Sequence, residues 1–429
     1  MSKKIFKNAS YLGIVQLVNY VFPLITVPYV SRIIGPEGYG IINYATTFVG
    51  YFSLLIAYGF DLTGTRKIVK HLEQPSQINQ IVSEILTARI LLFIISIFLF
   101  ILALIYFKPI QDDIGVAVIL FFGCIATVIS PQFVFQAFEE LTIFAKLNFF
   151  RGLLNVILVF LLVKEAKDYT ILAILSSIFM IAINSLLCWL TIRKFGISYN
   201  LVKLQRAIKL LNEEKMVFFS TVVISLYTTT NVIILGWFAS KAEVGYYTVS
   251  QTLLGMAVSV ISAPISLAIY PHIGKSFAIS REHGIETVKQ ILPIVFYITF
   301  GVSLVLLLFA PIVIHLLYGK AFDNAIAVMQ ILSFQPLIIG MSNVFGIQVM
   351  LNMGLDKLFF RSTFIASVLG VILSIYMSKY YSYIGTAWNS VIVECFVTLL
   401  MYTVLKRNNI HILELKYFKP KEIKSFFAK

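Results

Sequence analysis

The sequence predicts an all-α polytopic membrane protein, with about twelve transmembrane helices in two pseudo-symmetric six-helix lobes around a central cavity. Three observations carry this. First, 59% of the 429 residues are hydrophobic and only 13% are charged, with a mean hydropathy of +0.90; soluble domains run near 45–50% apolar and ~25% charged. That composition excludes a soluble globular domain, a disordered chain and a disulfide scaffold. Second, twelve apolar windows are each long enough for a span, which takes about 20 residues. They are unbroken rather than alternating, so a β-barrel does not fit. Third, the two halves of the chain hold equal numbers of windows and share short sequence echoes.

The windows fall at about 10–34, 40–60, 80–106, 114–138, 143–163, 169–192, 216–239, 245–273, 290–318, 325–352, 358–378 and 383–405. The first is preceded by Lys3, Lys4 and Lys7, as a signal peptide would be. It contains Gln16 and Asn19, runs past Pro28 and lacks a small-x-small cleavage site, so it reads as a retained span. Residues 193–215 form the longest interior connector. Leu201, Leu204, Ile208 and Leu211 recur there at helical spacing with Lys203, Arg206 and Lys209 between them, the pattern of an amphipathic helix on the inner membrane surface. The expected organisation is therefore an N-lobe at 1–192, this connector at 193–215, a C-lobe at 216–405 and a basic tail at 406–429. Gly38-Tyr39 recurs as Gly245-Tyr246 at an offset of 207 residues, which also superposes most of the windows. Lobes with an even number of spans are parallel repeats, and the site is expected between them.

A net charge of +14 would suggest a nucleic-acid partner in a soluble protein. Here, 26 Lys and Arg fall on the side shared by both termini and 7 on the other, with Arg89 inside a span. The charge thus reports topology, with both termini cytoplasmic and basic loops against anionic lipid; no nucleic-acid partner is expected. The outer loops are too short for an extracellular domain. No Walker loop is present, Gly319-Lys320 lacking the rest of one, and the five histidines show no ligand spacing. No cofactor or metal is expected.

What remains is polar material within spans, where each charge costs about 2.5–3.5 kcal/mol on insertion scales. Glu394, near the middle of the last span with Asn389 before it, reads either as a protonated carboxyl hydrogen-bonded to a neighbouring helix or as a proton- or cation-coupling group. Asp61, Arg66, Glu84 and Arg89 lie at similar inner depth and form either a structural ion-pair cluster or a cytoplasmic gate, unless Glu84 and Arg66 simply sit among headgroups. Asn148, Arg151 and Asn155 follow i, i+3, i+7 spacing and share one helix face. Gln16, Asn19, Pro23 and Thr26 do the same in the first span. Such faces turn toward protein or water rather than lipid. Arg32 and Arg361, near helix ends, read either as partners for an anionic group or as snorkelling anchors. Eight of the twelve prolines lie inside spans, each removing a helix hydrogen bond and permitting a bend.

Asn8-Ala9-Ser10, Gln16, Asn19-Tyr20, Pro23-Leu24, Pro28-Tyr29, Arg32, Gly35, Gly38-Tyr39-Gly40, Tyr58-Gly59-Phe60-Asp61 and Thr65-Arg66 resemble the N-terminal signature of the Wzx-type O-antigen and polysaccharide flippases. Pro131-Gln132-Phe133-Val134-Phe135-Gln136 is similar to that family's P-x-W-F-F-Q segment, with Phe133 and Val134 in place of Trp and Phe. Gly346-Ile347-Gln348 through Gly354 and Lys357 resembles its tenth-helix motif. The resemblance implies the multidrug/oligosaccharidyl-lipid/polysaccharide exporter fold in a bacterial cytoplasmic membrane. It also implies an undecaprenyl-pyrophosphate-linked oligosaccharide cargo for O-antigen, capsule or a related polysaccharide, flipped by alternating access with ion-gradient coupling. A polysaccharide polymerase and a chain-length regulator are the implied partners. Such an anionic cargo needs cationic cavity residues, and Arg89, Arg151 and Arg32 are the candidates in that order. Two alternatives stand beside this reading. A cation-coupled multidrug exporter of the same fold would favour an acidic cavity, and a membrane glycan polymerase or glycosyltransferase would need a larger outer loop.

Overall fold

A computed structural model describes residues 2–419, and side chains within 22–140, 142–226, 228–259, 269 and 272–419. The side chains of Gln16 and Asn19 therefore lie outside the described ones. The described secondary-structure elements are all helical, without strands. Its elements are α1 Ser2–Ala57, α2 Phe60–Val69, α3 Pro75–Tyr106, α4 Lys108–Gln111, α5 Ile114–Phe122, α6 Cys124–Ile129, α7 Gln132–Ala137, α8 Leu141–Leu162 and α9 Tyr169–Phe195. There follow α10 Leu204–Thr228, α11 Thr230–Phe238, α12 Lys241–Ile279, α13 Arg281–Leu317, α14 Asn324–Leu332, α15 Gln335–Asn343, a π-helical stretch Val344–Leu351 and α16 Asp356–Arg407.

Eight described helical segments are long and apolar enough to cross a membrane, or nine with the bent pair α10–α11. Two of them contain a sharp turn. Gly35 sits at φ 65°, ψ −176° within α1, and Ser382 at φ 49°, ψ −137° within α16. Each divides a helix that, at 1.5 Å per residue, is otherwise far longer than the ~30 Å apolar core. Dividing both and counting α12 gives twelve spans, in register with the twelve windows.

The chain separates into two compact units, 1–222 and 223–429. In the first, Phe60, Ile68, Val82, Ile85, Phe133 and Leu210 are among the residues of one core. In the second, Ile291, Leu292, Phe345, Val349, Val397 and Met401 are part of another. The connector differs from the surface helix expected at 193–215. Gly196, left-handed at φ 65°, ends α9, and residues 198–202 run extended along α3. The backbone N–H groups of Ser198, Asn200 and Val202 donate to Asn79 Oδ1, Ser83 Oγ and Thr87 Oγ1 at 3.0, 3.2 and 3.1 Å. Alternate N–H groups of an extended chain repeat every ~6.6 Å and every fourth helical residue every ~6 Å, so the two ladders stay in step for three rungs. From Leu204 the amphipathic segment continues into the span as α10, because no Gly or Pro interrupts it before Thr228.

A close approach fixes the turn within α16. A Cβ on Gly385, just past the Ser382 turn, would lie 2.3 Å from the Met377 carbonyl oxygen, and that backbone has no side-chain freedom to yield. Gly385→Ala is expected to destabilise by about 2 kcal/mol or more through overpacking, read as a lowered Tm of the purified protein. At the other end of α16 the chain folds back: Ile410 and Ile412 are buried, Lys289 pairs with Glu414, and the Tyr417 hydroxyl donates to Glu286. Hydrogen bonds from Lys289 and Lys416 hold the Glu414 carboxyl below its usual range. Its contribution is therefore complete above the unfolded carboxylate value and is lost as pH falls through the lower folded one. Proteolytic nicking after Arg407 is expected to accelerate below about pH 4, and Glu414→Gln is expected to remove that dependence.

Candidate functional site

The first unit holds a pocket of about 300 Å³ between α1, α8 and α9. The i, i+3, i+7 spacing on α8 brings Asn148, Arg151 and Asn155 together on its wall; Pro23 and Thr26 enter from α1, and Leu172, Ser176 and Phe179 from α9. Gly152 makes this closeness feasible: a Cβ there would lie 2.1 Å from the Phe22 ring. Asn148 is buried and donates to the Phe144 carbonyl at 2.9 Å, which fixes its amide. Thr26 turns its hydroxyl back onto the Phe22 and Pro23 carbonyls, both at 3.3 Å. Among the described residues no carboxylate lines the pocket, so Arg151 makes it a cationic, hydrogen-bonding site flanked by the Phe22 and Phe179 rings.

The second charged constellation is of another kind. Gly59, left-handed at φ 80°, opens α2 and carries Asp61 to α3, where Arg89 Nη2 donates to Asp61 Oδ1 at 3.0 Å. Arg89 Nη1 donates to the Ser130 carbonyl at 2.5 Å. That carbonyl is free for a side chain because the chain breaks between α6 and α7, with Ser130 extended at ψ 118° ahead of Pro131. Arg89 is 1% exposed and Asp61 41%; the Arg89 Nε has no partner among the described residues. Arg89, expected first among the cavity cations, pairs with Asp61 from the α3 face it shares with Ile85, Ala88 and Leu92, and it lines a pocket of about 160 Å³ with Ser130, Phe133 and Tyr199. Nor do the four inner charges form one cluster. Glu84 accepts from Gln80 at 2.8 Å, and Arg66 is exposed. Thr65 Oγ1 lies 3.2 Å from the Phe133 carbonyl and 3.1 Å from Gln136 Oε1, and Gly64 leaves room for the Phe133 ring. The 58–66 and 131–136 motifs, remote in sequence, thus form one contact.

In the second unit, Glu394 accepts from Ser342 Oγ at 3.0 Å, immediately before the π-helical Val344–Leu351. Asn389 donates to Asn231 Oδ1 at 2.9 Å and to the Gly370 carbonyl at 3.3 Å. Asn231 and Ser390, 3.3 Å apart, had no pattern to announce them; neither had Ser176 or Gly152. Arg32 is exposed on α1, three residues before the Gly35 turn. Among the described residues, no group of three or more His, Cys, Asp or Glu could hold a metal ion.

Residues 5–277 match the model of a family described as polysaccharide biosynthesis protein. The chain belongs to that family. Relatives named "Putative O-antigen transporter" occur in Escherichia coli K12 and in Shigella dysenteriae. The first is 29% identical over 405 residues, covering 94% of this chain and 97% of the relative. The second is 25% identical over 404 residues, covering 93% and 100%. The fold of this family member is similar to that of the lipid II flippase MurJ in its inward closed conformation, with TM-score 0.72, 12% identity and coverage of 98% and 91%. It is also similar to the MATE multidrug transporter DinF-BH, with TM-score 0.62, 17% identity and coverage of 96% and 97%. The chain is a multi-pass membrane protein with a fold similar to theirs.

Proposed function

We propose that this chain is a flippase that carries undecaprenyl-pyrophosphate-linked oligosaccharide from the cytoplasmic to the outer leaflet of the cytoplasmic membrane by alternating access, driven by an ion gradient. Both termini are cytoplasmic in this reading, and the cargo passes on to a polymerase and a chain-length regulator. The observation that carries it is the Arg151 pocket. In an apolar protein, a guanidinium among Asn148, Asn155, Thr26 and Ser176, with no carboxylate among the described lining residues, is a receptor for an anionic, hydroxyl-rich headgroup. A multidrug exporter of cationic compounds would be served by the opposite charge.

The test is the lipid-linked oligosaccharide pool of a deletion strain complemented with wild type or Arg151→Gln. Accumulation of assembled, cytoplasm-facing oligosaccharide supports flipping, whereas an absence of assembled oligosaccharide assigns the chain to an earlier step. Glu394 is the coupling candidate, held by Ser342. Glu394→Gln keeps a hydrogen-bonding side chain but cannot titrate, so it is expected to slow gradient-driven transport and flatten its pH dependence in proteoliposomes. Unaltered transport would leave Glu394 as a structural contact.

A further inference from the structure

Two helices of the first unit sort their charges in the same way. α2 buries Phe60, Thr63, Gly64 and Ile68 and turns Leu62, Val69, Arg66 and Lys70 outward. The first turns of α10 bury Ala207 and Leu210 and leave Leu204 at 53% and Ile208 at 51% exposed, beside exposed Lys203, Arg206 and Lys209. The acids of both helices are held in ion pairs. Asp61 is held by Arg89, and Glu213 and Glu214 are held by Lys67 at 3.3 and 2.9 Å. Asp61 and Glu213 are themselves partly exposed, at 41% and 49%, but the exposed cations Arg66, Lys70, Lys203, Arg206 and Lys209 outnumber them, so what faces outward is predominantly cationic and apolar together.

The surface is also rigidly presented. The Lys67 ion pairs join the two helices, Tyr58 donates to the Leu211 carbonyl at 3.1 Å, and the Tyr58 and Phe218 rings stack at 4.4 Å. The three-rung ladder on α3 fixes the segment leading into α10. Both helices join directly to membrane spans, α2 through Gly59 to α1 and α10 by continuing unbroken to Thr228. The surface thus sits where a span meets water, at headgroup depth. Leucine and isoleucine side chains there enter the acyl boundary while lysine and arginine meet phosphates, a combination that an anionic leaflet satisfies and plain water does not.

We propose that the outward faces of α2 and of the first turns of α10 form one binding surface for anionic phospholipid headgroups of the inner leaflet. It is separate from the Arg151 pocket and rests on the cytoplasmic orientation of this side. The test uses the full chain in nanodiscs of phosphatidylcholine mixed with phosphatidylglycerol, with retained lipids counted by native mass spectrometry. Wild type is expected to retain phosphatidylglycerol over phosphatidylcholine by about ten-fold or more. The variant R66Q/K70Q/K203Q/R206Q/K209Q is expected to fall to near parity, and R66K/K70R/K203R/R206K/K209R to keep the preference, which separates charge from folding. Neutralising Lys406 and Arg407 instead is expected to leave it unchanged. Equal retention by wild type and the neutralised variant, or no preference in wild type, overturns the proposal and leaves an acidic protein partner as the occupant. Neither result bears on Arg151-dependent transport, so the two readings fail independently.

Discussion

Asp61→Ala is expected to cost about 3–5 kcal/mol of stability, enough to remove most of the protein from the membrane, because it strips a buried guanidinium of its counter-charge. The two partners are not equivalent. Arg89 is 1% exposed, whereas water reaches Asp61 at 41%. Deleting the arginine leaves a carboxylate that can be rehydrated; deleting the carboxylate leaves a buried cation with the Ser130 carbonyl and the Phe133 ring but no counter-charge at that site. Arg89→Met, close in length and apolar, is therefore expected to cost roughly 1–2 kcal/mol, less than Asp61→Ala. Asp61→Leu combined with Arg89→Met should recover much of the loss, since an apolar pair replaces an ion pair that was expensive to desolvate. Thermal unfolding of the purified proteins checks the order. A Tm for Asp61→Ala equal to wild type would contradict the ion-pair assignment. A folded Arg89→Met that exports normally would remove Arg89 from the cargo path, whereas a folded one that does not export would restore it.

Arg151→Gln is expected to do the reverse, lowering transport with little change in stability. No ion pair is broken, and the pocket is roomy enough for the shorter side chain. Hydrogen bonds to a charged group contribute about 1.5–3 kcal/mol, so losing those to a pyrophosphate is expected to slow flipping by roughly 10- to 100-fold. Arg151→Lys keeps the charge but not the two-pronged geometry and is expected to fall between. Initial rates in proteoliposomes, with Tm measured on the same samples, separate this from misfolding. Equal rates for Gln and Arg would show that the pocket does not hold the anionic group.

The two results test different readings of similar sequence signals, and the difference shows where the sequence is informative. On α8, three polar residues at i, i+3, i+7 mark a face, and the structure brings that face to one pocket. On α3 there is no such mark. Ile94, Ile97, Phe98 and Ile101 are exposed, while Ile85, Leu92 and Phe100 are buried. Because lipid is as apolar as a protein interior, both sides of such a helix carry the same residues. A lone Arg89 could then be assigned to the membrane but not to a direction within it. Glu84 and Arg66, similar in depth to Arg89, could not be separated from its ion pair for the same reason. The connector shows another limit. Its amphipathic period was legible, but whether it stops before the span depends on a break that the sequence lacks, and helix propagation carries it through.

The sequence by itself determined the class, the twelve spans, the basic asymmetry and the polar face of α8. Each of these is a local property: the cost of exposing or burying a run of side chains, or the 3.6-residue period. Only the tertiary structure decided that Arg89 faces Asp61 and the Ser130 carbonyl, that the 58–66 and 131–136 motifs meet, and that the Lys67 ion pairs join α2 to α10. These depend on which helices are neighbours, and in a chain whose lipid-facing and protein-facing surfaces are equally apolar, neighbours are chosen by packing and polar pairing rather than by hydropathy.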